Sequence, residues 1–246
     1  MVKRVLFFIM PLLVMASCGR QPLRVLKVDT ALLSVDSTLD NVQDSAYIAY
    51  LEPIREEMES QLSVVLGVAP EALGVYQPES PMLNWSSDAL HAMAEKVTGE
   101  RVDVAVVNRG GLRCEWQAGN ITRRSVYELM PFDNELVILT LTGEDMLLLA
   151  KNCVEQGGQG VSATMRVRGK NGQAVSVTLN GKEIVKEAYY YVATSDYLSG
   201  GADGLTALTH FVDRKMTGKK IRDLYMDYVQ QQGVVTAKID GRMAVD

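Results

Sequence analysis

The stretch Val102–Arg113, VDVAVVNRGGLR, constrains the fold more than any other part of the chain. Five of its first six residues are apolar and four of them are valine, which is typical of a strand buried on both faces. Polar residues and a Gly-Gly pair follow at once. Open α/β sheets bind ligands at the carboxyl ends of their strands, and paired glycines let backbone N–H groups approach a ligand closely. The stretch therefore predicts a ligand site directly after a buried strand, and the alternative is an ordinary turn flanked by arginines.

The composition narrows the class of protein. The chain has 246 residues, of which 47% are hydrophobic and 22% charged, so it suits one large globular domain or two small ones. Its net charge of -5 and the lack of a basic stripe with interleaved aromatic residues argue against nucleic acid as a partner. Strands mix with helices and no repeat is visible. We therefore predict a single α/β (α+β) domain, with a mixed β-sheet and flanking helices.

The first residues have the pattern of an export signal. Lys3 and Arg4 precede an apolar run that ends at Ala16-Ser17-Cys18, and this run is too short to span a bilayer. A cysteine directly after small residues resembles a bacterial lipobox, which predicts a signal peptide over 1–17 and lipidation of Cys18. The alternatives are an ordinary signal cleaved nearby and a core helix. Residues 18–45 are then a tether with an edge strand at Leu32–Val35, and 46–246 form the domain.

Periodicity and capping residues predict the remaining elements. A first helix spans Ala46–Leu66, with a kink or a start at Pro53, and a second spans Asn84–Thr98 with Ser86 or Ser87 as its N-cap. Further helices are predicted over Ile121–Met130, Met146–Val154 and Gly218–Gln232. Strands are predicted over Glu135–Leu141, Ser162–Arg168, Ala174–Leu179, Tyr189–Thr194 and Val235–Ile239. If Cys18 is lipidated, Cys114 and Cys153 remain as a potential disulfide pair, and free thiols are the expected state.

Three short motifs occur in order along this pattern. They are Asn108-x-Gly-Gly-Leu-Arg113, then Pro131-Phe132-x-Asn134 followed by Leu141-Thr142-Gly143, and then Val192-Ala193-Thr194 and Tyr197 ahead of Gly201-x-Asp203-Gly204. In order and spacing they resemble the 5′-nucleotidase C-terminal domain, the nucleotide-binding domain of bacterial periplasmic and animal ecto-5′-nucleotidases. The resemblance covers roughly residues 47–239.

The resemblance implies a role for each motif residue. Asn108 would contact the purine, Arg113 would hold the ribose and phosphate end, and Asp203 would accept hydrogen bonds from the ribose hydroxyls. Phe132 and Tyr197 would be the two walls of a base-stacking clamp. The predicted substrate-binding residues also include Gly110, Gly111, Asn134 and Gly201. For the two aromatic rings, the alternative is ordinary packing in the core.

The sequence departs from the family pattern in three places. Ala202 stands where a second glycine is usual, which predicts strain if that residue needs a positive φ. Asp133 replaces the glycine after Phe132 and adds a carboxylate near a site for an anion. A further ligand-binding arginine of the family has no counterpart, since Gln77-Pro78-Glu79 occupies that region.

The catalytic half of the family is a metallophosphatase domain that holds two metal ions with Asp, Asn and several His residues. This sequence has only His91 and His210, neither in an Asp-x-His or Asn-His-Glu setting, so we predict no catalytic residues and no metal site here. We expect an exported, lipid-anchored nucleoside- or nucleotide-binding domain, at the periplasmic face of a membrane or the cell surface. It would act with a separate metallophosphatase chain that carries the two divalent metal ions.

Two alternatives to this expectation remain open. In the first, the chain is a nucleoside-binding lipoprotein without an enzymatic role. In the second, it is an independent phosphohydrolase in which Asp203, Glu79 or Asp133 binds metal unaided. Metal-dependent hydrolysis of nucleoside monophosphates by the pure chain would select the second alternative.

The lipobox generates a prediction about export. Cys18→Ser removes the thiol that would carry the lipid, so the variant should lose membrane retention and appear in the soluble fraction. Cell fractionation and mass spectrometry of the mature N-terminus measure this. Unchanged retention, with no lipid on the wild-type N-terminus, would contradict it.

Overall fold

The computed structural model describes residues 25–39 and 43–246, so the predicted signal peptide and Cys18 lie outside the described residues. By its contacts the chain divides into two units, 1–50 and 51–246. Helix α1, Ser45–Leu62, begins in the first unit and ends in the second. Among the described helices none is long and apolar enough to cross a membrane.

The described part of the first unit contains no strand. The predicted edge strand at Leu32–Val35 is wrong, because these residues have no strand conformation and their apolar side chains are almost fully exposed. A short apolar run forms a strand only when a neighbouring strand takes up its hydrogen bonds, and none of the pairings in the described residues includes this run. One turn of 3-10 helix, Ser37–Leu39, follows it.

A five-stranded sheet forms the centre of the second unit. Its strands are β2 (Val104–Val107), β4 (Glu135–Thr142), β5 (Gly160–Val161), β9 (Tyr189–Ser195) and β10 (Asp213–Lys220). They lie in the order β10-β4-β9-β2-β5. β2 and β9 run parallel, whereas β4 runs antiparallel to β9. All four residues of β2 are buried, as the valine-rich sequence predicts.

Helices cover both faces of this sheet. One face packs against α2 (Pro81–Thr98) and α5 (Ile221–Gln232), and the other packs against α4 (Gly143–Glu155). The N-cap of α2 is Ser80, whose side chain accepts the Leu83 N–H, with Pro81 in the first turn. The predicted caps Ser86 and Ser87 were wrong, since both lie inside the helix and are buried.

Two smaller sheets complete the unit. β1 (Val65–Ala69) pairs antiparallel with β3 (Gly119–Thr122). The strands β6 (Met165–Lys170), β7 (Gln173–Leu179), β8 (Lys182–Glu183) and β11 (Met243–Val245) form a sheet in the order β11-β6-β7-β8. The predicted α/β fold is confirmed, with three sheets in the described residues instead of one.

Several predicted boundaries were wrong for identifiable reasons. The helix predicted from Ile121 is α3, Arg123–Leu129, because the preceding residues form β3 and Thr122 caps the helix in a capping box with Ser125. The first helix ends at Leu62, and Pro53 lies inside it.

Two more corrections concern the C-terminal region. β10 occupies the start of the predicted Gly218–Gln232 helix, and its sequence DRKMTGKK lacks the usual apolar alternation because it is an edge strand with an almost fully exposed surface. The strand predicted at Val235–Ile239 is absent from the described structure. The last strand of the chain is instead β11, which runs parallel to β6.

Candidate functional site

The strand directions of the central sheet bring three separate loops to one edge. β2 and β9 are parallel, so their carboxyl ends meet at the same edge, and β4 begins there because it is antiparallel to β9. The loops after β2 and after β9, together with the residues just before β4, therefore lie side by side. These segments contain Asn108-x-Gly-Gly-Leu-Arg113, Pro131-Phe132-x-Asn134 and the residues from Tyr197 to Gly204. The other motif residues lie elsewhere, with Leu141-Thr142-Gly143 at the opposite end of β4 and Val192-Ala193-Thr194 within β9.

The chain turns immediately after β2. Residues Arg109–Gly111 form one turn of 3-10 helix, closed by the Gly111 N–H to the Asn108 carbonyl at 3.2 Å. A Cβ atom on Gly111 would lie 2.6 Å from Asn108 Oδ1, and one on Gly110 would lie 3.2 Å from Asp203 Oδ2. The two glycines therefore let the amide and the carboxylate approach the turn closely.

Asp203 links two of the loops. Its Oδ2 accepts a hydrogen bond from Asn108 Nδ2 at 2.5 Å, and its Oδ1 accepts one from the Tyr197 hydroxyl at 3.1 Å. The phenol beside the carboxylate has a raised pKa, because the hydrogen bond to Asp203 and the negative charge both favour protonated tyrosine. Asn108 and Tyr197 are thus held in place by one acidic side chain.

The glycine-rich loop reaches this geometry without strain at Ala202. Its residues with positive φ are Gly201 at 81°, Asp203 at 52° and Gly204 at 74°. Ala202 has no positive φ, so the predicted strain does not occur there. Asp is among the residues that tolerate the left-handed region, and the hydrogen bonds from Asn108 and Tyr197 hold Asp203 in it.

These loops enclose a cavity of about 280 Å³. It is lined by Asn108, Gly110, Gly111, Arg113, Phe132, Asn134, Tyr197 and Asp203. Eight of the nine predicted substrate-binding residues thus line one cavity, whose volume is close to the lower end of the usual range for small-molecule sites, about 300–1,000 Å³. The ninth, Gly201, lies outside this lining, and a Cβ there would lie 2.8 Å from Thr209 Cγ2.

The two aromatic rings of the cavity are partly exposed. Phe132 precedes β4 and is 40% exposed, while Tyr197 follows β9 and is 50% exposed. Fully packed core residues of this protein have exposures near zero, as at Tyr225. Neither ring is therefore a core residue.

Asp133 does not add negative charge to the cavity. Its carboxylate pairs with Lys220 Nζ at 2.9 Å and with Arg222 Nη2 at 2.5 Å. The hydrogen bonds from Lys220 and then from Arg222 hold the pKa of Asp133 below its ordinary value. The residue is absent from the cavity lining, and both of its cationic partners belong to the segment from β10 into α5.

Gln77 and Glu79, in the region where the family carries a further ligand-binding arginine, form hydrogen bonds with other chain segments. Gln77 Nε2 donates to the carbonyl oxygens of Gln156 and Gly158 at 2.7 and 2.6 Å. The buried Glu79 carboxylate accepts hydrogen bonds from Asn84 and from the backbone N–H groups of Asp240 and Gly241. These side chains hold loops together and lie outside the cavity lining.

One residue of the site was not predicted from the sequence. Gln159 is buried, and its Oε1 accepts the Arg109 backbone N–H at 2.7 Å, which fixes the first residue of the turn. A glutamine next to Gly157-Gly158 has no pattern that distinguishes it from a loop residue. Only the fold shows that it contacts the turn after β2.

Each of the two histidines has a hydrogen-bond partner. His91 Nε2 bonds to the Val102 carbonyl at 2.9 Å, and His210 Nδ1 bonds to Asp145 Oδ1 at 2.8 Å. Within residues 25–39 and 43–246, no group of three or more His, Cys, Asp or Glu side chains is arranged to hold a metal ion.

Cys114 and Cys153 are free thiols, and burial raises the pKa of Cys153 to about 12.

The fold and the cavity define a mixed α/β domain with a ligand-sized cavity at the carboxyl end of a central strand. A family model described as 5′-nucleotidase, C-terminal domain, matches residues 64–210. The chain belongs to this family, and the resemblance inferred from the three motifs is confirmed.

Similar proteins support the assignment. A 5′-nucleotidase of Vibrio cholerae is 25% identical over 202 residues, which cover 80% of this chain and 36% of that protein. The trifunctional nucleotide phosphoesterase protein of Bacillus subtilis is 27% identical over 214 residues, 78% of this chain and 14% of that protein. The chain thus spans about a third or less of these curated relatives.

Solved structures show the same fold. The 5′-nucleotidase precursor of Thermus thermophilus has a TM-score of 0.68 and 26% identity, over 81% of this chain and 42% of that one. The NAD nucleotidase of Haemophilus influenzae has a TM-score of 0.60 and 17% identity, over 82% of this chain and 42% of that one.

The contact between Tyr197 and Asp203 generates a prediction. Asp203→Asn removes the negative charge beside the phenol, so the pKa of Tyr197 should fall towards the ordinary tyrosine value. Carbon-13 NMR of ring-labelled tyrosine across a pH titration measures it, and Tyr197→Phe assigns the signal by removing it. A Tyr197 titration that is the same in wild type and Asp203→Asn would show that the carboxylate does not act on the phenol.

Proposed function

We propose that this chain binds a nucleoside or nucleoside monophosphate in the cavity at the end of β2. The observation that supports this most strongly is the convergence of Asn108, Asp203 and two half-exposed aromatic rings on that cavity, from three loops far apart in sequence. Membership of the 5′-nucleotidase C-terminal domain family supports the same ligand class.

The lining groups suit the parts of a nucleoside. Aromatic rings stack on a base, at about 1–3 kcal/mol per base, and here Phe132 and Tyr197 offer two such faces. A carboxylate accepts hydrogen bonds from both hydroxyls of a ribose diol, which is the role proposed for Asp203. Asn108 presents an amide that is able to read a base edge, and Arg113 supplies a cation for the phosphate end.

We further propose that the chemistry is supplied by a metallophosphatase chain. Hydrolysis of phosphate esters by two metal ions requires ligands for both, and the two histidines of this sequence instead bond to a backbone carbonyl and to Asp145. The two divalent metal ions would be held by the partner chain. Lipidation of Cys18 would anchor the complex to a membrane at the periplasmic face or the cell surface.

The clamp generates a prediction about binding. Phe132→Ala and Tyr197→Ala should each weaken adenosine binding by about 1–3 kcal/mol, which is roughly five- to 150-fold in affinity. The melting temperature should barely change, because both rings are partly exposed. Calorimetric titration and thermal melting, run side by side, measure both quantities.

The control for the clamp is Tyr189→Ala, which removes an exposed ring of β9 that lies outside the cavity lining. It should leave adenosine affinity unchanged. A fully packed Phe replaced by Ala costs about 3–5 kcal/mol of stability. A large fall in melting temperature with unaltered affinity per folded molecule would assign the rings to packing and refute the clamp.

The proposal that a metallophosphatase chain supplies the chemistry generates a separate prediction. The purified chain should release no phosphate from adenosine monophosphate with manganese, zinc or cobalt ions, and hydrolysis should appear only on mixing with a metallophosphatase chain of this family. A colorimetric phosphate assay measures both. Turnover by the chain alone at the usual enzyme rates of about 1–10³ s⁻¹ would contradict it. Nucleoside binding without hydrolysis in the mixture would favour a nucleoside-binding lipoprotein with no enzymatic role.

A further inference from the structure

A groove of about 490 Å³ lies between the end of α1 and the start of α3. The β1–β3 ladder brings these helices together, because the strands are antiparallel and Val65 at the start of β1 pairs with Thr122 at the end of β3. α1 runs into β1, and α3 follows β3 directly, so both helices meet the same end of the ladder. All residues of the groove belong to the second unit, and none of them lines the nucleoside cavity.

The walls of this groove are largely apolar. α1 contributes Met58 and Leu62, α3 contributes Tyr127, and Pro131 follows α3. Met58 is 55% exposed and Tyr127 is 38% exposed, so both keep apolar surface that no other part of the described structure covers. The remaining lining residues are polar or charged, namely Gln61, Arg123, Arg124 and Glu128. A concave surface of this size, with apolar walls and a few polar groups, is typical of a small-molecule site.

The Tyr127 ring is held in place from outside the groove. The guanidinium carbon of Arg222 lies 4.3 Å from the ring centroid, and Arg222 also pairs with Asp133. A cation over an aromatic face attracts the ring electrostatically. This wall of the groove is therefore formed before any ligand binds.

Two arginines begin α3, and only one of them has a partner. Arg124 pairs with Glu59 of α1. Arg123 Nε is buried without a hydrogen-bond partner, and its guanidinium forms no ion pair within the described residues. A buried donor without an acceptor is destabilising.

The position of Arg123 adds a second conflict. The first turn of α3 contains no acidic residue, and a cation at the start of a helix is disfavoured by the helix dipole. Folding thus gains nothing from the charge of Arg123 in the described structure. A local rule that is broken without local compensation is typical of a functional residue.

We propose that the groove between α1 and α3 binds a monoanion with an apolar body, such as a medium-chain carboxylate, and that Arg123 binds its carboxylate. Guanidinium groups bind carboxylates through paired charge-assisted hydrogen bonds. The apolar body of the ligand packs against Met58, Leu62 and Tyr127. The site is separate from the nucleoside cavity and does not depend on the function proposed for it.

Glu128 restricts the charge of the ligand. Its carboxylate lines the same groove as Arg123, so the two side chains together contribute no net charge. A phosphate or a dicarboxylate brings a second negative charge, which Glu128 repels. A single carboxylate on an apolar chain therefore fits the groove better than a small polyanion does.

The test is calorimetric titration of the full chain with octanoate, octanol and acetate at low ionic strength. Octanoate should bind about tenfold more tightly than octanol, as expected of hydrogen bonds to a charged group, and acetate should not bind because it lacks the apolar body. Arg123→Ala should lower octanoate affinity about tenfold and leave octanol affinity within about twofold. Arg123→Lys should keep part of the octanoate affinity, because lysine retains the charge without the paired donors.

The apolar wall is tested separately. Met58→Ala should weaken octanoate and octanol alike, by about threefold or more, because it removes apolar contact area from both complexes. Met216→Ala is the matched control, since it removes a similarly exposed methionine of β10 that lies outside the groove. Arg168→Ala is the control for charge, since it removes an exposed arginine of β6 outside the groove. Neither control should change either affinity.

The remaining outcomes decide between this site and its alternatives. Arg123→Ala should melt at or above the wild-type temperature, and a large fall would assign Arg123 a structural role and refute the site. Equal affinities for octanoate and octanol, or octanoate binding that is unchanged in both Arg123→Ala and Met58→Ala, would also overturn it. Saturating adenosine should leave octanoate bound. Displacement by adenosine would place octanoate in the nucleoside cavity and refute the groove, whereas a failure of adenosine to bind counts against the nucleoside cavity alone.

Discussion

The burial of β2 on both faces is the constraint on which the rest of the structure depends. Val104 and Val106 pack into the core on the α4 side, while Ala105 and Val107 pack into the core on the α2 and α5 side. A strand so enclosed must satisfy its backbone groups within the protein. Side chains help, since Ser162 Oγ accepts the Ala105 N–H and Thr194 Oγ1 donates to the Val106 carbonyl. The end of β2, and hence the turn that carries Asn108, is therefore rigid.

A rigid strand end allows a weakly buried site to keep its shape. The cavity is built from loops and its rings are half exposed, so packing contributes little to its geometry. Hydrogen bonds fix the geometry instead. Asp203 accepts hydrogen bonds from both Asn108 and Tyr197, and Gln159 accepts one from the Arg109 N–H at the start of the turn. The polar groups proposed to bind the ligand are thus the same groups that organise the cavity, and their hydrogen bonds to one another reduce the ordering that binding requires.

The residues that depart from the family pattern make ion pairs and hydrogen bonds with their neighbours. Asp133 is neutralised by Lys220 and Arg222. Gln77 and Glu79 hold neighbouring loops and chain segments together, so the cations available to a ligand are those on the two sides of the Gly-Gly turn. The electrostatics of the site thus rest mainly on the segment after β2.

The sequence by itself determined the α/β class, the buried strand β2 and the motif residues, because apolar periodicity and short motifs are local properties. Eight of nine predicted site residues line one cavity, and their binding role stays a prediction. The tertiary structure alone decided where β10 and β11 pair, which residue caps α2, that Leu32–Val35 forms no strand, and that Gln159 supports the turn. Apart from the cap of α2, each of these depends on a partner distant in sequence or on the absence of one among the described residues. An edge strand such as DRKMTGKK, or a lone glutamine, has no distinctive local pattern, so only the fold reveals what it contacts.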